Sequence, residues 1–191
     1  MILGLLSDTH GRQDAARRAI KVLQQAGAQA FVHCGDVGGA GVFNELAGLR
    51  AWFVWGNSDD AGPLLRRHVQ SLGLEVPAEV PLRLELAGKT IAVYHGHEQG
   101  FERFARLADG GRVRELEELT AVDYLLFGHT HKLFDERFGR LRAVSPGALF
   151  RVAVPSVATL DLRRDEVRFW EVPAELSAGR PLRQLRCDGD Y

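Results

Sequence analysis

The chain has 191 residues, with 46% hydrophobic and 26% charged positions and a formal net charge of −1. That length suits one domain with a full core. The near-zero charge excludes a general electrostatic pull toward nucleic acid or an anionic membrane.

Ile2 to Leu6 is a continuous apolar run, the pattern of a strand covered on both faces, and it ends in Ser7-Asp8-Thr9-His10-Gly11. The run is too short for a signal peptide or a membrane span, so a cytoplasmic protein without membrane attachment is expected. Two cysteines, Cys34 and Cys187, form no disulfide framework and fit a reducing cytosol. From Gln13 to Ala26 the residues Ala16, Ala19, Ile20, Leu23 and Ala26 recur at helical spacing, with Gly27 as the stop. Ala30-Phe31-Val32 reads as a second strand and runs into His33-Cys34-Gly35-Asp36. A Gly-rich turn and a short helix near Val42 to Leu49 follow. A third strand, Ala51 to Trp55, ends in Gly56-Asn57-Ser58-Asp59. This β-α-β-α-β alternation predicts a mostly parallel sheet with right-handed crossovers, whose C-terminal edge is where ligands bind.

A helix is predicted between Pro63 and Leu72. Leu82 to Leu86 then alternates apolar with charged residues, Ala87-Gly88-Lys89 reads as a hairpin turn, and Thr90 to Tyr94 is the return strand. It too ends in chemistry, at His95-Gly96-His97. Phe101 to Leu119 is helical in pattern but broken by Gly110-Gly111. The run Tyr124 to Phe127 opens onto Gly128-His129-Thr130-His131. In an extended backbone both imidazoles project to one side, and Gly128 lets the chain turn out of the sheet. Antiparallel candidates follow at Leu133 to Phe138, Leu141 to Val144, Val157 to Leu162 and Val167 to Val172. The tail from Pro173 has no periodicity and reads as a surface strap or a partly disordered segment, leaving residues 1–172 as the single domain and 173–191 as the tail. The expected architecture is a layered α/β sandwich, parallel first and antiparallel later.

Five strand ends thus offer Asp8 and His10; Asp36; Asn57; His95 and His97; and His129 and His131. Carboxylate, imidazole and one amide oxygen suit Mn, Fe, Zn or Co better than Mg or Ca. The donors are too many for one tetrahedral site and about enough for two. A shared aspartate could bridge ions about 3.5–4 Å apart, the spacing of hydrolytic two-metal sites. No cysteine spacing argues for structural zinc. Gly38-Gly39-Ala40-Gly41 matches neither a Walker loop nor a dinucleotide fingerprint.

The series Asp8-Thr9-His10, Gly35-Asp36, Gly56-Asn57, His95-Gly96-His97 and Gly128-His129-Thr130-His131 resembles the calcineurin-like metallophosphoesterase superfamily, and within it the small bacterial and archaeal phosphodiesterases. The resemblance implies a four-layer α-β-β-α sandwich of two mixed β-sheets flanked by helices. It implies that Asp8, His10 and His131 hold a first metal, that Asp36 bridges, and that Asn57, His95 and His129 hold a second. The implied ions are two divalent transition metals, Mn²⁺ first, with Fe, Zn, Ni or Co as alternatives. The implied reaction is in-line attack of a metal-bridging hydroxide on a small phosphoester. No sequence-specific nucleic acid is implied as a partner, and a homodimer is compatible with the resemblance only.

The departures from the family pattern matter. Many members carry a histidine after the metal-binding asparagine, where it helps protonate the leaving oxygen; here the position is Ser58, a poor general acid near neutral pH. Substrates with good leaving groups are one consequence, and His97 acting in its place is another, so Asp36, Asn57 and His97 form the catalytic candidates. The lean is to diesters, with a phosphomonoesterase or nucleotide pyrophosphatase as the alternative. Ser145-Pro146-Gly147-Ala148 departs from the family's Asn-Pro-Gly-Ser loop at both ends, with Ser145 for the asparagine and Ala148 for the serine. The stretch Glu98 to Leu119 is long enough to overhang the substrate. His97 reads equally as a phosphate contact or a loop residue. Arg12 and Lys132 are candidate phosphate contacts beside ligand motifs, and Arg163-Arg164 and Arg180 to Arg186 read as a solvated face or an oligomer contact. Trp52 and Trp55 read as core or sheet-face residues. His33-Cys34 has the composition of a Cys–His nucleophile, but neighbouring strand residues face opposite ways. A further rival is a protein-binding scaffold of this fold, as in the retromer coat.

Overall fold

The apolar run Ile2–Leu6 is the centre of the molecule (β1), and its neighbours explain why it needs no polar face. Leu3 and Leu5 point into the core between two sheets, while Leu6 points to an outer helical layer; all three are fully buried. Gly4 lies between them because a Cβ there would meet Leu23 Cδ1 at 3.0 Å and Ala28 Cβ at 3.1 Å. The computed structural model describes residues 1–176 and 181–187.

The remaining elements are α1 (Gln13–Gln25), β2 (Ala30–His33), α2 (Ala40–Leu46), β3 (Ala51–Phe53), α3 (Pro63–Ser71), β4 (Leu82–Leu86), β5 (Lys89–Val93), α4 (Gln99–Asp109), α5 (Val113–Thr120), β6 (Tyr124–Leu126), β7 (Leu133–Phe138), β8 (Leu141–Pro146), β9 (Ser156–Asp161), β10 (Glu166–Glu171) and β11 (Gln184–Leu185). One sheet has the order β11-β10-β9-β1-β2-β3, the other β4-β5-β6-β8-β7. In the first, β1, β2 and β3 are parallel, with Leu3 opposite Ala30 and Phe31 opposite Ala51. In the second, β5, β6 and β8 are parallel and the outer pairings antiparallel. Both sheets are therefore mixed, and the C-terminal ends of β1, β2, β3, β5 and β6 share one edge of the sandwich.

The helices form the outer layers. The buried face of α1 (Ala15, Ala16, Ala19, Ile20, Val22, Leu23) packs with Leu6, Phe31 and Phe53. Phe101, Phe104, Leu107 and Leu116 of α4 and α5 pack on Ala92, Leu125 and Ala143 of the second sheet. The stretch 98–119 is thus the fourth layer of the sandwich and not an overhang of the substrate edge. Its apolar positions are what the sheet's outer face requires. Its break lies at Gly110-Gly111, with Gly111 at φ 64°.

Other boundaries shift by small amounts. β3 stops at Phe53, and the hairpin turn is Ala87-Gly88 alone, at φ 52° and 75°, with Lys89 already in β5. Trp52 packs against the inter-sheet core and Trp55 against the α1 layer. Within the described part of the tail, β11 pairs with β10 and buries Leu185, and Arg183 pairs with Glu171 at 2.6 Å. Arg180 lies outside the described residues. Among the described residues no helix is long and apolar enough to cross a membrane.

Candidate metal centre

The loops after β1 and β2 stay zipped beyond their strands. The Asp8 amide donates to the Gly35 carbonyl at 3.0 Å, His10 to Asp36 at 2.9 Å and Gly11 to Val37 at 2.9 Å. Asp59 ties the β3 loop to this pair, its carboxylate accepting the amides of Val37, Gly38 and Gly56 at 3.1, 2.7 and 2.8 Å. Glu98 does the same after β5, accepting the His95 and Gly96 amides at 2.9 and 2.8 Å. Sequence reasoning passed over both acids. Their signal was there: a carboxylate three residues after a loop amide, Asp59 after Gly56 and Glu98 after His95, at the spacing where side chains capture loop amides.

Asp8, His10, Asp36, His129 and His131 all hold left-handed backbone, at φ 54°, 44°, 52°, 65° and 59°. Each costs on the order of 1–3 kcal/mol in a non-glycine residue, and such residues cluster at functional sites. His129 and His131 therefore do not reach the site from an extended strand, as the sequence suggested; two left-handed turns aim them. Gly128 is needed for a different reason from the one expected. A Cβ there would fall 2.0 Å from Ser7 Oγ and 3.0 Å from Asp8 Oδ2, so it is close approach that demands glycine.

The side chains converge on two overlapping groups. In one, ligand atoms of Asp8, His10 and His131 lie within 4.8 Å of one another, and in the other those of Asp8, Asp36 and His95 do so. His131 Nε2 is 3.1 Å from Asp8 Oδ1. Asp36 turns one oxygen each way: Oδ2 is 3.4 Å from His10 Nε2 and Oδ1 is 3.5 Å from His95 Nε2. Asn57 Oδ1 lies 3.1 Å from His95 Nε2. His129 is in neither group; its ring centroid is 5.0 Å from that of His95, and its amide donates to Asp8 Oδ2 at 3.1 Å. His97 is exposed, 5.4 Å from the His95 ring and 6.4 Å from that of His129.

The donor set fits a cation. His95 Nδ1 donates to the Cys34 carbonyl at 2.8 Å, so a neutral His95 presents a bare Nε2 lone pair to the oxygens of Asn57 and Asp36. Donors that face one another this way need a positive charge among them. His10 Nε2 is buried without a hydrogen-bond partner, while its Nδ1 is 3.3 Å from Ser58 Oγ. A ligating histidine commonly has its second nitrogen held by a hydrogen bond in this way.

The electrostatics agree. Burial pushes the Asp36 carboxyl up, but hydrogen bonds from Ser58 and the nearby His95 and His10 outweigh it and hold the group below its ordinary range. Burial and the neighbouring His95 lower His129, keeping its imidazole neutral and ligand-competent. Burial raises the Cys34 thiol and lowers His33 to about 3, so the two form no reactive thiolate–imidazolium pair. The Ser145–Ala148 loop is tied to β9, with Ser156 Oγ donating to the Pro146 carbonyl at 2.9 Å. Lys132 sits on an exposed bend.

The profile of the calcineurin-like phosphoesterase superfamily domain matches residues 1–165. The chain belongs to that superfamily. As a calcineurin-like phosphoesterase it falls in a family of divalent-metal-dependent phosphoester hydrolases. It is 24% identical over 172 residues to phosphodiesterase MJ0936 of Methanocaldococcus jannaschii, covering 88% of this chain and 97% of that protein. The solved structure of an archaeal phosphodiesterase superposes with a TM-score of 0.72 at 22% identity, covering 90% of this chain and 99% of that one. Vps29 of Chaetomium thermophilum gives a TM-score of 0.67 at 14% identity, covering 97% and 96%. These likenesses establish the fold of two mixed sheets flanked by helices.

Proposed function

We propose that this calcineurin-like phosphoesterase is a dinuclear phosphodiesterase that hydrolyses a small phosphoester. The observation that carries the reading is Asp36, which offers one oxygen toward His10 and the other toward His95. In this reading Asp8, His10 and His131 hold one ion, Asn57, His95 and His129 the other, and Asp36 bridges; Mn²⁺ is favoured for a mixed carboxylate, imidazole and amide set. When bound, the two ions lower the pKa of water and neutralise charge on the phosphoryl oxygens. The chain's own residues do the rest. Asp59 and Glu98 fix the ligand loops, so the donors need little reorganisation. Ser58 donates its amide to Asp36 at 2.9 Å and sets its hydroxyl against His10, a positioning duty that replaces proton donation. His97 stands exposed beside the second group, where it meets the phosphate or the leaving oxygen. The preference for diesters with good leaving groups follows from Ser58.

The test is hydrolysis of bis-p-nitrophenyl phosphate against p-nitrophenyl phosphate by metal-stripped protein with Mn²⁺ restored, beside Asp36→Ala. Metal-dependent diester cleavage that Asp36→Ala abolishes supports the reading, and faster monoester turnover replaces diester by monoester with the same site. The likeness to Vps29 keeps a second reading, a protein-binding scaffold of the same fold. Absence of turnover and of retained metal would favour it.

A further inference from the structure

The connection between β8 and β9 brings an aromatic ring to the edge of the metal centre. Phe150 is half-buried, and its ring centroid lies 5.2 Å from that of His10. Two guanidiniums rest against the same ring: the Arg12 carbon Cζ at 4.1 Å from the centroid and that of Arg151 at 5.1 Å. Neither arginine has an ion-pair partner among the described residues, whereas Arg142 is paired with both Asp135 and Asp165. Arg12 comes from the loop after β1, Arg151 from the loop after β8. Two separate segments thus deliver positive charge to one aromatic platform beside a ligand candidate. The chain carries a net charge of −1, so this is local placement and no consequence of a basic protein.

We infer that Arg12, Phe150 and Arg151 form a subsite for a second phosphate, one that belongs to the part of the substrate that does not leave. The inference rests on the phosphodiesterase reading above and names its substrate class: phosphodiesters that carry a further phosphate. The aromatic ring holds the guanidiniums by cation–π attraction, so less side-chain freedom is lost when they bind an anion. A guanidinium fork matches phosphate oxygens with two parallel N–H bonds, which a lone lysine cannot do. The ring is already engaged by His10 and both arginines, so it serves as a platform for cations and does not offer a free face for a nucleobase.

The test compares two esters that share the p-nitrophenyl leaving group, thymidine 5′-(p-nitrophenyl phosphate) and the same ester with a phosphate on its 3′-oxygen, on Mn²⁺-saturated protein. The 3′-phosphorylated ester is expected to have the higher kcat/KM by about tenfold or more, carried mostly by KM. In the double variant Arg12→Ala, Arg151→Ala the ratio of the two kcat/KM values is expected to fall to near one. Equal turnover of both esters by the native chain overturns the subsite and leaves the phosphodiesterase reading standing. A preference that survives in the double variant also overturns it. Cleavage of neither ester defeats the phosphodiesterase reading, and the subsite falls with it.

Discussion

The hydroxyl of Thr9 and the ring of His33 meet at 2.9 Å beside the candidate metal centre, and the bond has a direction. Thr9 has one proton, and the Val37 carbonyl at 2.9 Å takes it, so His33 Nε2–H donates to the Thr9 oxygen. That leaves Nδ1 as a lone pair, in keeping with its burial without a partner. Thr9 lies between the left-handed Asp8 and His10, and His33 ends the strand that leads to Asp36. His33→Leu is expected to weaken Mn²⁺ binding about 10-fold or more, the usual scale for a group that orients ligands. His33→Gln keeps an N–H near the same point and should recover most of it. Calorimetric titration of the stripped protein reads this; equal affinity in all three proteins would show that the bond only packs.

Gly56 tests how tightly Asp36 is held. A Cβ at Gly56 would sit 2.1 Å from Asp36 Oδ1 and 2.3 Å from its amide nitrogen. Gly56→Ala must therefore displace the carboxylate, and a shift of about 1 Å costs on the order of 10²-fold in rate. Gly48 is the control: it has φ 73° and nothing within 4 Å of an added Cβ. Gly48→Ala should lower stability by about 1 kcal/mol and leave diesterase kcat/KM unchanged. Melting curves and turnover of bis-p-nitrophenyl phosphate separate the two outcomes; comparable activity loss in both variants would contradict the account.

The positions of the candidate ligands were legible because each follows an apolar run that reads as a strand: Ile2–Leu6 before Asp8, Ala30-Phe31-Val32 before Asp36, Tyr124–Leu126 before His129. What aims them was not legible. Asp and His enter left-handed backbone more often than most residues, but the types alone do not mark Asp8, His10, Asp36, His129 and His131; their neighbours impose it, through bonds such as Asp8 to Gly35 and His129 to Asp8. Sheet order was equally hidden. β9 inserts beside β1 from the far end of the chain, Leu3 lying opposite Leu160, and β8 lies parallel to β6 after a hairpin with β7. Such pairings are long-range and leave no local periodicity. β11, two residues long, is too short to show any.

Acid stability should reveal the clamp that joins the sheets. Asp165, in the β9–β10 turn of one sheet, accepts from Tyr124 at 2.9 Å and from Arg137 and Arg142 of the other. Burial pushes its carboxyl up, but these bonds outweigh that and lower it to about 2. A carboxyl depressed on folding stabilises above its ordinary pKa of about 4, and that stability is lost as pH falls toward about 2. Because Asp165 is more than a third exposed, solvent screens these bonds, and Asp165→Asn is expected to cost about 1 kcal/mol or less near neutral pH and to flatten the stability curve across that acid window. Urea unfolding from about pH 2 to 7 checks both. A variant curve parallel to the native one would place the acid sensitivity elsewhere.

Metal removal should carry a pH dependence of the same sign at higher pH, in the histidine range. The folded state lowers His129 through burial and the neighbouring His95, so the folded chain resists protonation that the unfolded chain accepts. Its contribution is full above the ordinary histidine pKa of about 6.5 and is lost as pH falls below it. Metal binding acts in the same direction, because ligating imidazoles must be neutral. At Mn²⁺ about 100-fold above Kd the ion should add about 2.7 kcal/mol, or roughly 5–10 °C in Tm for a chain of this size, near pH 8. That shift should disappear by about pH 5 and be abolished by chelator at every pH. Differential scanning calorimetry with and without Mn²⁺ measures it. An increment that persists undiminished at about pH 5 would mean that carboxylates alone hold the ion and that the histidines are not its ligands.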